Sequence, residues 1–274
     1  MIVLTNKNSK QVIQPTRFPD GTSQVWKLDI AAFQNTPVKV VWHFEEEAEL
    51  IWVNQLTTLL RAEGLAVQEL YMPYLPYARQ DKAVSNSSTF AKTVFIEMLF
   101  KTGVRKLSTL DAHSPHAQIF SYSAKPYITQ AIKSFKPDVL VFPDAGAFNR
   151  YSQMLAECDL AVLVLDKNRD QATGEIKALT IDIALSSASL GNVSTEKPVK
   201  MLLVDDICDG GATFINAAKY LCSQYPRGCE LGLYVTHGIF SKGFDGLMKA
   251  GISAFFTTQS LTKNIAAYSL IEIE

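Results

Sequence analysis

The run Val199-Lys-Met-Leu-Leu-Val-Asp-Asp-Ile-Cys-Asp-Gly-Gly-Ala-Thr213 constrains this chain more than any other segment. An apolar stretch stops at two adjacent acids, passes through a loop of small residues and enters a helical pattern. Phe214, Ala217, Ala218, Leu221 and Cys222 recur at helical spacing and mark one face. A strand that ends in a glycine loop at a helix N-terminus makes an anion cradle, because the loop N–H groups and the positive end of the helix dipole point at one spot. Two ionised carboxylates at a strand end are costly to bury without partners. They suit a phosphate ligand that also carries hydroxyls or a metal. The stretch therefore predicts a phosphate held by Asp209, Gly210, Gly211, Ala212 and Thr213, with ribose hydroxyls accepted by Asp205 and Asp206.

At 274 residues the chain has room for one large or two moderate domains. Its 26 basic and 27 acidic residues cancel, so no global field favours nucleic acid or an anionic membrane, and affinity for phosphate must be local. The four cysteines, Cys158, Cys208, Cys222 and Cys229, show no C-x-x-C spacing and no paired framework, which argues against zinc and disulfides. The N-terminal residues lack the features of a signal peptide, and no window approaches a membrane-spanning apolar run. The expectation is a soluble, cytoplasmic protein without nucleic-acid or membrane partners. No P-loop and no protein-kinase catalytic loop occurs.

Strand-like and helical patterns alternate. After a hairpin-rich opening over 1–30, strands are expected at Val38–Trp42, 65–71 and 106–110. A helix bearing Ala48, Ile51, Trp52, Leu56, Leu59 and Leu60 on one face ends at Gly64, and a helix over 90–101 carries Ala91, Val94, Phe95, Met98 and Leu99. The second half reads as strands at Val139–Phe142, Leu160–Leu165, Met201–Val204, Leu231–Val235 and Ile252–Phe256. Such alternation predicts parallel sheets covered on both faces. The breaker Ser123-Ala-Lys-Pro126 divides it into domains over 1–125 and 126–274, and ligands should lie beyond the carboxyl ends of the strands.

Four further segments fall at such ends. Tyr71-Met-Pro-Tyr-Leu-Pro-Tyr-Ala-Arg-Gln-Asp-Lys82 offers three tyrosines with Arg79, Gln80 and Asp81; it reads equally as a nucleotide-binding surface or as a proline-rich loop packing tyrosines on a core. In Thr109-Leu-Asp-Ala-His-Ser-Pro-His116, Asp111 and His113 are either a hard-cation pair or a structural hydrogen-bond pair, Ser114-Pro115 suits a helix start, and His116 reads as a surface or packing residue. Phe142-Pro-Asp-Ala-Gly-Ala-Phe-Asn-Arg150 repeats the strand–acid–small-residue–helix order, with Asp144 a candidate for a second cation. Leu165-Asp-Lys-Asn-Arg-Asp-Gln-Ala-Thr-Gly174 is a polar loop, able to close two cations over a triphosphate or to form a solvated hairpin.

Together these segments resemble the ribose-phosphate pyrophosphokinases. The 199–214 run is similar to the phosphoribosyl-pyrophosphate signature shared with type I phosphoribosyltransferases, whereas Pro-Tyr-x-Pro-Tyr-Ala-Arg-Gln-Asp-Lys, Thr-x-Asp-x-His and Pro-Asp-x-Gly-x-x-x-Arg resemble motifs of the pyrophosphokinases. The resemblance implies two phosphoribosyltransferase-like (type I) α/β domains, each a mostly parallel sheet flanked by helices, with ATP-side motifs in the first and the ribose 5-phosphate site in the second. It implies Mg2+-dependent transfer of diphosphate from ATP to the C1 hydroxyl of ribose 5-phosphate, by a homo-oligomer. Lys167 and Arg169 would be catalytic. Phe18, Asp20, Arg79, Gln80, Asp81 and His113 would bind ATP, and Asp111, His113 and Asp144 would hold metal. Asp205, Asp206 and Asp209–Thr213 would hold the sugar phosphate.

Two departures stand out. Thr22 follows Arg17-Phe-Pro-Asp-Gly where the family has an acid, and the phosphate loop has Gly210 and Ala212 where a commoner form has threonine and glycine. A phosphoribosyltransferase would account for 199–214 but not for 71–82 or 109–113. A non-catalytic regulatory homologue would be expected to lose Lys167, Arg169 or His113, and all three are present.

Overall fold

The computed structural model describes residues 1–81, 87–169, 176–187, 197–225, 228–261 and 269–271, with only the backbone course given for 167–169, 176–178 and 269–271. The chain divides into two compact units, one built on Met1–Ser123 and the other on Ala124–Gln259. Among the described residues no helix is long and apolar enough to cross a membrane.

Unit 1 runs β1 (Ile2–Thr5), β2 (Lys10–Ile13), β3 (Thr16–Arg17), β4 (Ser23–Gln24), β5 (Val38–Trp42), α1 (Glu49–Ala62), β6 (Val67–Met72), α2 (Ala91–Phe100), β7 (Leu107–Leu110) and β8 (Ile119–Tyr122). Its six-stranded sheet has the order β2-β1-β5-β6-β7-β8. β5 to β8 are parallel, and β1 joins β2 and β5 antiparallel. One face buries Val38, Val40, Trp42 and Leu70 against Val53, Leu56 and Leu60 of α1 and Phe95 and Leu99 of α2. α1 is terminated at Gly64, whose φ of +75° suits a residue without Cβ.

Both helices of unit 1 are rotated relative to the expected stripes. α1 buries Trp52, Val53, Leu56, Thr57 and Leu60 while Ile51 is exposed; α2 buries Lys92, Phe95, Ile96 and Leu99 while Val94 and Met98 are exposed. In α2 the rotation follows from burying a lysine, which no apolar count can anticipate.

The sheet's other face in unit 1 is mixed: it buries Val3, Tyr71 and Leu110 and also carries a charged cluster. Lys39 and Lys106 lie 3.2 and 3.0 Å from Glu69, which also accepts hydrogen bonds from Ser108 (2.6 Å) and the Tyr122 hydroxyl (2.7 Å). Burial pushes the Glu69 carboxyl up, but these donors and the Lys39 charge outweigh it and hold the pKa down at about 2. Glu69 therefore stabilises the fold above the ordinary carboxylate range, and that contribution is lost as pH falls toward 2. Glu69→Gln should cost about 2 kcal/mol at neutral pH after discounting for part-exposure, and roughly half that or less near pH 3. Urea midpoints measured at both pH values check this; a pH-independent loss would mean that the carboxylate charge is not what matters.

Unit 2 runs α3 (Lys125–Phe135), β9 (Val139–Phe142), α4 (Ala145–Leu155), β10 (Ala161–Arg169), β11 (Ile176–Ile181), β12 (Val199–Cys208), α5 (Ala212–Gln224), β13 (Cys229–Gly238), α6 (Asp245–Lys249), β14 (Ile252–Thr258) and β15 (Ser269–Ile271). The sheet order is β11-β10-β9-β12-β13-β14-β15, parallel except for the antiparallel β10–β11 pair. Both faces are covered. Val139 and Val141 of β9 pack in the cluster with Phe214, Ala217, Ala218 and Leu221 of α5, while Leu140 and Phe142 pack with Ile128 and Phe135 of α3 and Tyr151 of α4. This period-two split explains the unbroken apolar strands of the second half.

Candidate functional site

In unit 2 the acids do not sit beyond the strand, as the sequence suggested, but within its last turns of pleat. β12 continues to Cys208 because β13 runs beside it that far, pairing Ile207 with His237 and Cys208 with Gly238. Asp206 is buried, with Arg150 of α4 3.4 Å from its Oδ2. Asp205 accepts the Asp206 backbone N–H at 2.9 Å. Burial, followed by the neighbouring Asp206 and Asp144 carboxylates, pushes the Asp205 carboxyl well above its ordinary range. A group so placed gains from a ligand that brings hydroxyl donors or a cation.

The loop then turns through Asp209 and Gly210 to Gly211, whose φ is +77° and where a Cβ would come within 3.1 Å of Leu247. Glycine is required there on both counts. Gly211 stands at the N-cap of α5, so the capping position supplies no side chain to the first amides of the helix. α4 is built the other way, with Asp144 accepting from the Ala147 N–H at 3.0 Å. One oxygen of Asp144 is thus committed to capping, which restricts it as a metal ligand.

Two residues of the 239–244 loop that follows β13 were not singled out from the sequence. Ser241 donates to Asp209 Oδ1 at 2.5 Å, and the methylenes of Lys242 lie 3.5 Å from where a Cβ on Gly210 would stand. That distance is ordinary van der Waals contact, so nothing in the surroundings of Gly210 explains the glycine departure there. The legible signal was the Gly238-Ile-Phe-Ser-Lys-Gly243 stretch, a second glycine-bracketed loop at a neighbouring strand end.

Lys167 and Arg169 lie not in an irregular loop but on the extension of β10, in register with Leu179 and Ile176 of β11. The antiparallel β10–β11 pairing is compatible with either expectation for this segment. Their side chains, and residues 170–174 of the same segment, lie outside the described residues.

In unit 1 the 79–81 and 111–116 segments meet around Lys92. Its ammonium donates to Ser114 O at 3.0 Å and to Ser114 Oγ at 2.5 Å, and its backbone N–H donates to Gln80 O at 3.4 Å. Burial lowers the Lys92 pKa while Asp81 raises it. For Asp81, burial pushes upward, but the Ser114 hydroxyl and the His113 and Lys92 charges leave it net below its usual value. Arg79 and Gln80 are exposed. No helix begins at Ser114; the chain there turns directly into β8.

The tyrosines of the 71–82 segment are mostly spent on packing. Tyr71 is buried edge-on to Tyr122, and Tyr77, with φ of +59°, packs at a tilt against Phe95 and hydrogen-bonds Glu47. That hydrogen bond, with burial, pushes the Tyr77 phenol up to about 12.

Asp111 is buried, its φ is +45°, and its N–H donates to Tyr122 O at 2.9 Å, which pins the turn that presents His113. Among the described residues no three His, Cys, Asp or Glu side chains form a group that could hold a metal. Asp111 and His113 in unit 1 and Asp144 in unit 2 each offer a single donor to a cation. The donors fit Mg2+ only if it arrives on phosphate oxygens and keeps part of its water shell.

Phe18 and Asp20 lie on the tight β3–β4 hairpin, closed by the Phe18 N–H to Thr22 O bond of 2.8 Å. Phe18 is exposed. Thr22 donates to Asp20 Oδ1 through both its N–H (3.0 Å) and its hydroxyl (2.7 Å), and these bonds lower the Asp20 pKa. Thr22 thus orients the remaining acid.

A family model of the phosphoribosyl transferase domain matches residues 116–249. Ribose-phosphate pyrophosphokinases from Maricaulis maris and Sulfolobus acidocaldarius are 26% and 25% identical over 76% and 93% of this chain, and the matches cover 66% and 87% of those proteins. The chain is similar to ribose-phosphate pyrophosphokinases. A relative of the same description from Cereibacter sphaeroides is 27% identical over 71% of this chain and 57% of its own length. In fold, the chain is similar to phosphoribosylpyrophosphate synthetase from Mycobacterium smegmatis, with a TM-score of 0.70 at 19% identity over 96% of this chain and 86% of that one. The two-domain, type I phosphoribosyltransferase-like α/β fold is thus shared over 96% of the chain.

Proposed function

We propose that this chain makes 5-phosphoribosyl 1-diphosphate and AMP from ATP and ribose 5-phosphate, as a cytoplasmic homo-oligomer. The observation that carries the proposal is the Arg79–Asp81, Lys92 and Asp111–Ser114 cluster. The kinship extends through this unit, and a base-transferring phosphoribosyltransferase would need only the second one.

The reaction is attack of the sugar C1 oxygen on the β-phosphorus of ATP, with cleavage of the bond to the α-phosphate oxygen and departure of AMP. The protein's part is positioning and charge stabilisation. The amides of Ala212 and Thr213 would receive the 5-phosphate, with the Asp209–Gly211 turn fixing their direction. Asp205 and Asp206 would accept ribose hydroxyls, with Arg150 beside Asp206. In unit 1, Arg79 and Gln80 would contact the nucleotide, Asp81 and His113 would sit beside its phosphates, and Phe18 with Asp20 would hold the base. Asp111 and His113 of unit 1, and Asp144 of unit 2, would hold Mg2+, which would supply positive charge to offset that of the phosphates. No side chain is assigned as general base.

Lys167 and Arg169 are proposed to stabilise charge on the transferring diphosphate. Lys167→Ala should lower kcat about 10²–10³-fold with little change in ribose 5-phosphate affinity; unchanged turnover would remove it from the mechanism. The deciding assay is AMP release from ATP on addition of ribose 5-phosphate. No release, together with base-dependent consumption of 5-phosphoribosyl 1-diphosphate, would favour the phosphoribosyltransferase reading instead.

A further inference from the structure

The structure assigns a two-electron oxidation site to Cys222 and Cys229, a thiol pair that takes hydroperoxides as oxidant and closes reversibly to a disulfide. Cys222 lies in the last turn of α5 and Cys229 opens β13, and their sulfurs are 3.1 Å apart. The sequence offered no such pairing, because helical and strand residues seven apart meet only when a turn reverses the chain between them. The Gly228 N–H to Tyr225 O bond of 2.8 Å marks that reversal. The Cys222 sulfur rests against Gly251, where a Cβ would stand 3.4 Å away. A disulfide requires an S–S distance of about 2.05 Å, so the sulfurs must close by about 1 Å, within the reach of side-chain torsions.

The two thiols are inequivalent in a useful way. Cys222 is exposed and Cys229 is half-buried. Burial first, then the contact with Cys222, pushes the Cys229 thiol up to about 12, so it stays protonated while its neighbour meets solvent oxidants. The Cys222 thiolate attacks the peroxide O–O bond, giving a sulfenic acid and, with a proton, one molecule of water or alcohol. The Cys229 sulfur then attacks the Cys222 sulfur, and the sulfenic hydroxyl leaves with the Cys229 proton as water. Two thiols give up two electrons and two protons, which the peroxide accepts. Proximity compensates for the weak acidity of the second thiol. Cys208 is buried and Cys158 is half-buried, and neither is placed in this pair.

The test is chemical and independent of the reaction proposed above. The full chain is treated with a small excess of hydrogen peroxide, quenched, denatured, alkylated and mapped by mass spectrometry. The chain's four thiols should fall to two, with one cross-linked peptide joining Cys222 to Cys229, and dithiothreitol should restore both. In Cys222→Ser, Cys229 should remain alkylatable. Retention of all four thiols, a link through Cys158 or Cys208, or Cys222 oxidised alone with Cys229 still free would each overturn the assignment.

Discussion

The Asp205→Asn/Asp206→Asn double variant should bind ribose 5-phosphate about 10²–10⁴-fold more weakly than the parent chain yet melt close to it. Each acid, on the proposed reading, accepts a hydroxyl in a charge-assisted hydrogen bond. Such bonds are worth about 1.5–3 kcal/mol, and two together account for that range. Stability is expected to change little because two effects oppose. Losing Asp206 removes the counter-charge 3.4 Å from Arg150. Losing Asp205 removes a carboxylate whose ionisation is disfavoured by burial and by Asp206 and Asp144. The single variants should therefore split, Asp205→Asn stabilising and Asp206→Asn destabilising. Calorimetric titration with ribose 5-phosphate and thermal melts of all three variants test both halves; parent-like affinity in the double variant would show that the acids do not receive the sugar.

Lys92→Met should be among the most damaging single changes in unit 1, costing about 2–4 kcal/mol. Methionine keeps the apolar stem but leaves the Ser114 acceptors and Asp81 without the ammonium beside them. The same change should loosen the 79–81 and 111–116 segments, raising KM for ATP by more than KM for ribose 5-phosphate. Leu99→Ala, a truncation of a fully buried leucine on the same helix, is the control. It should cost a comparable 2–5 kcal/mol without the selective nucleotide effect. Equal shifts in both KM values for Lys92→Met would reduce Lys92 to a purely structural residue.

Lys92 also shows where reading from sequence stops. Helical periodicity located α2 within a residue at each end, but counting Val94 and Met98 as core rotated its buried face away from the true one. A cation enters a core only when partners from distant segments satisfy it, and those partners belong to tertiary structure. The same holds for Asp205 and Asp206. Their pairing as adjacent acids was plain, yet their place inside β12 depends on how far β13 extends beside them. Glycine loops were more legible, because the positive φ at Gly211 is a local demand that few other residues meet. The tyrosines of 71–82 were ambiguous from sequence: aromatic rings advertise binding and core alike, and packing claimed Tyr71 and Tyr77.

The contrasting ends of α4 and α5 have a consequence for how a ligand would settle. Asp144 quenches the partial positive charge at the start of α4, whereas Gly211 leaves that of α5 open to an incoming anion. Within one sheet the polypeptide thus presents a compass needle rather than a uniform field. A molecule with a dianion at one end and a polyol at the other would be turned the right way round by backbone dipoles alone, before any mobile side chain had to choose.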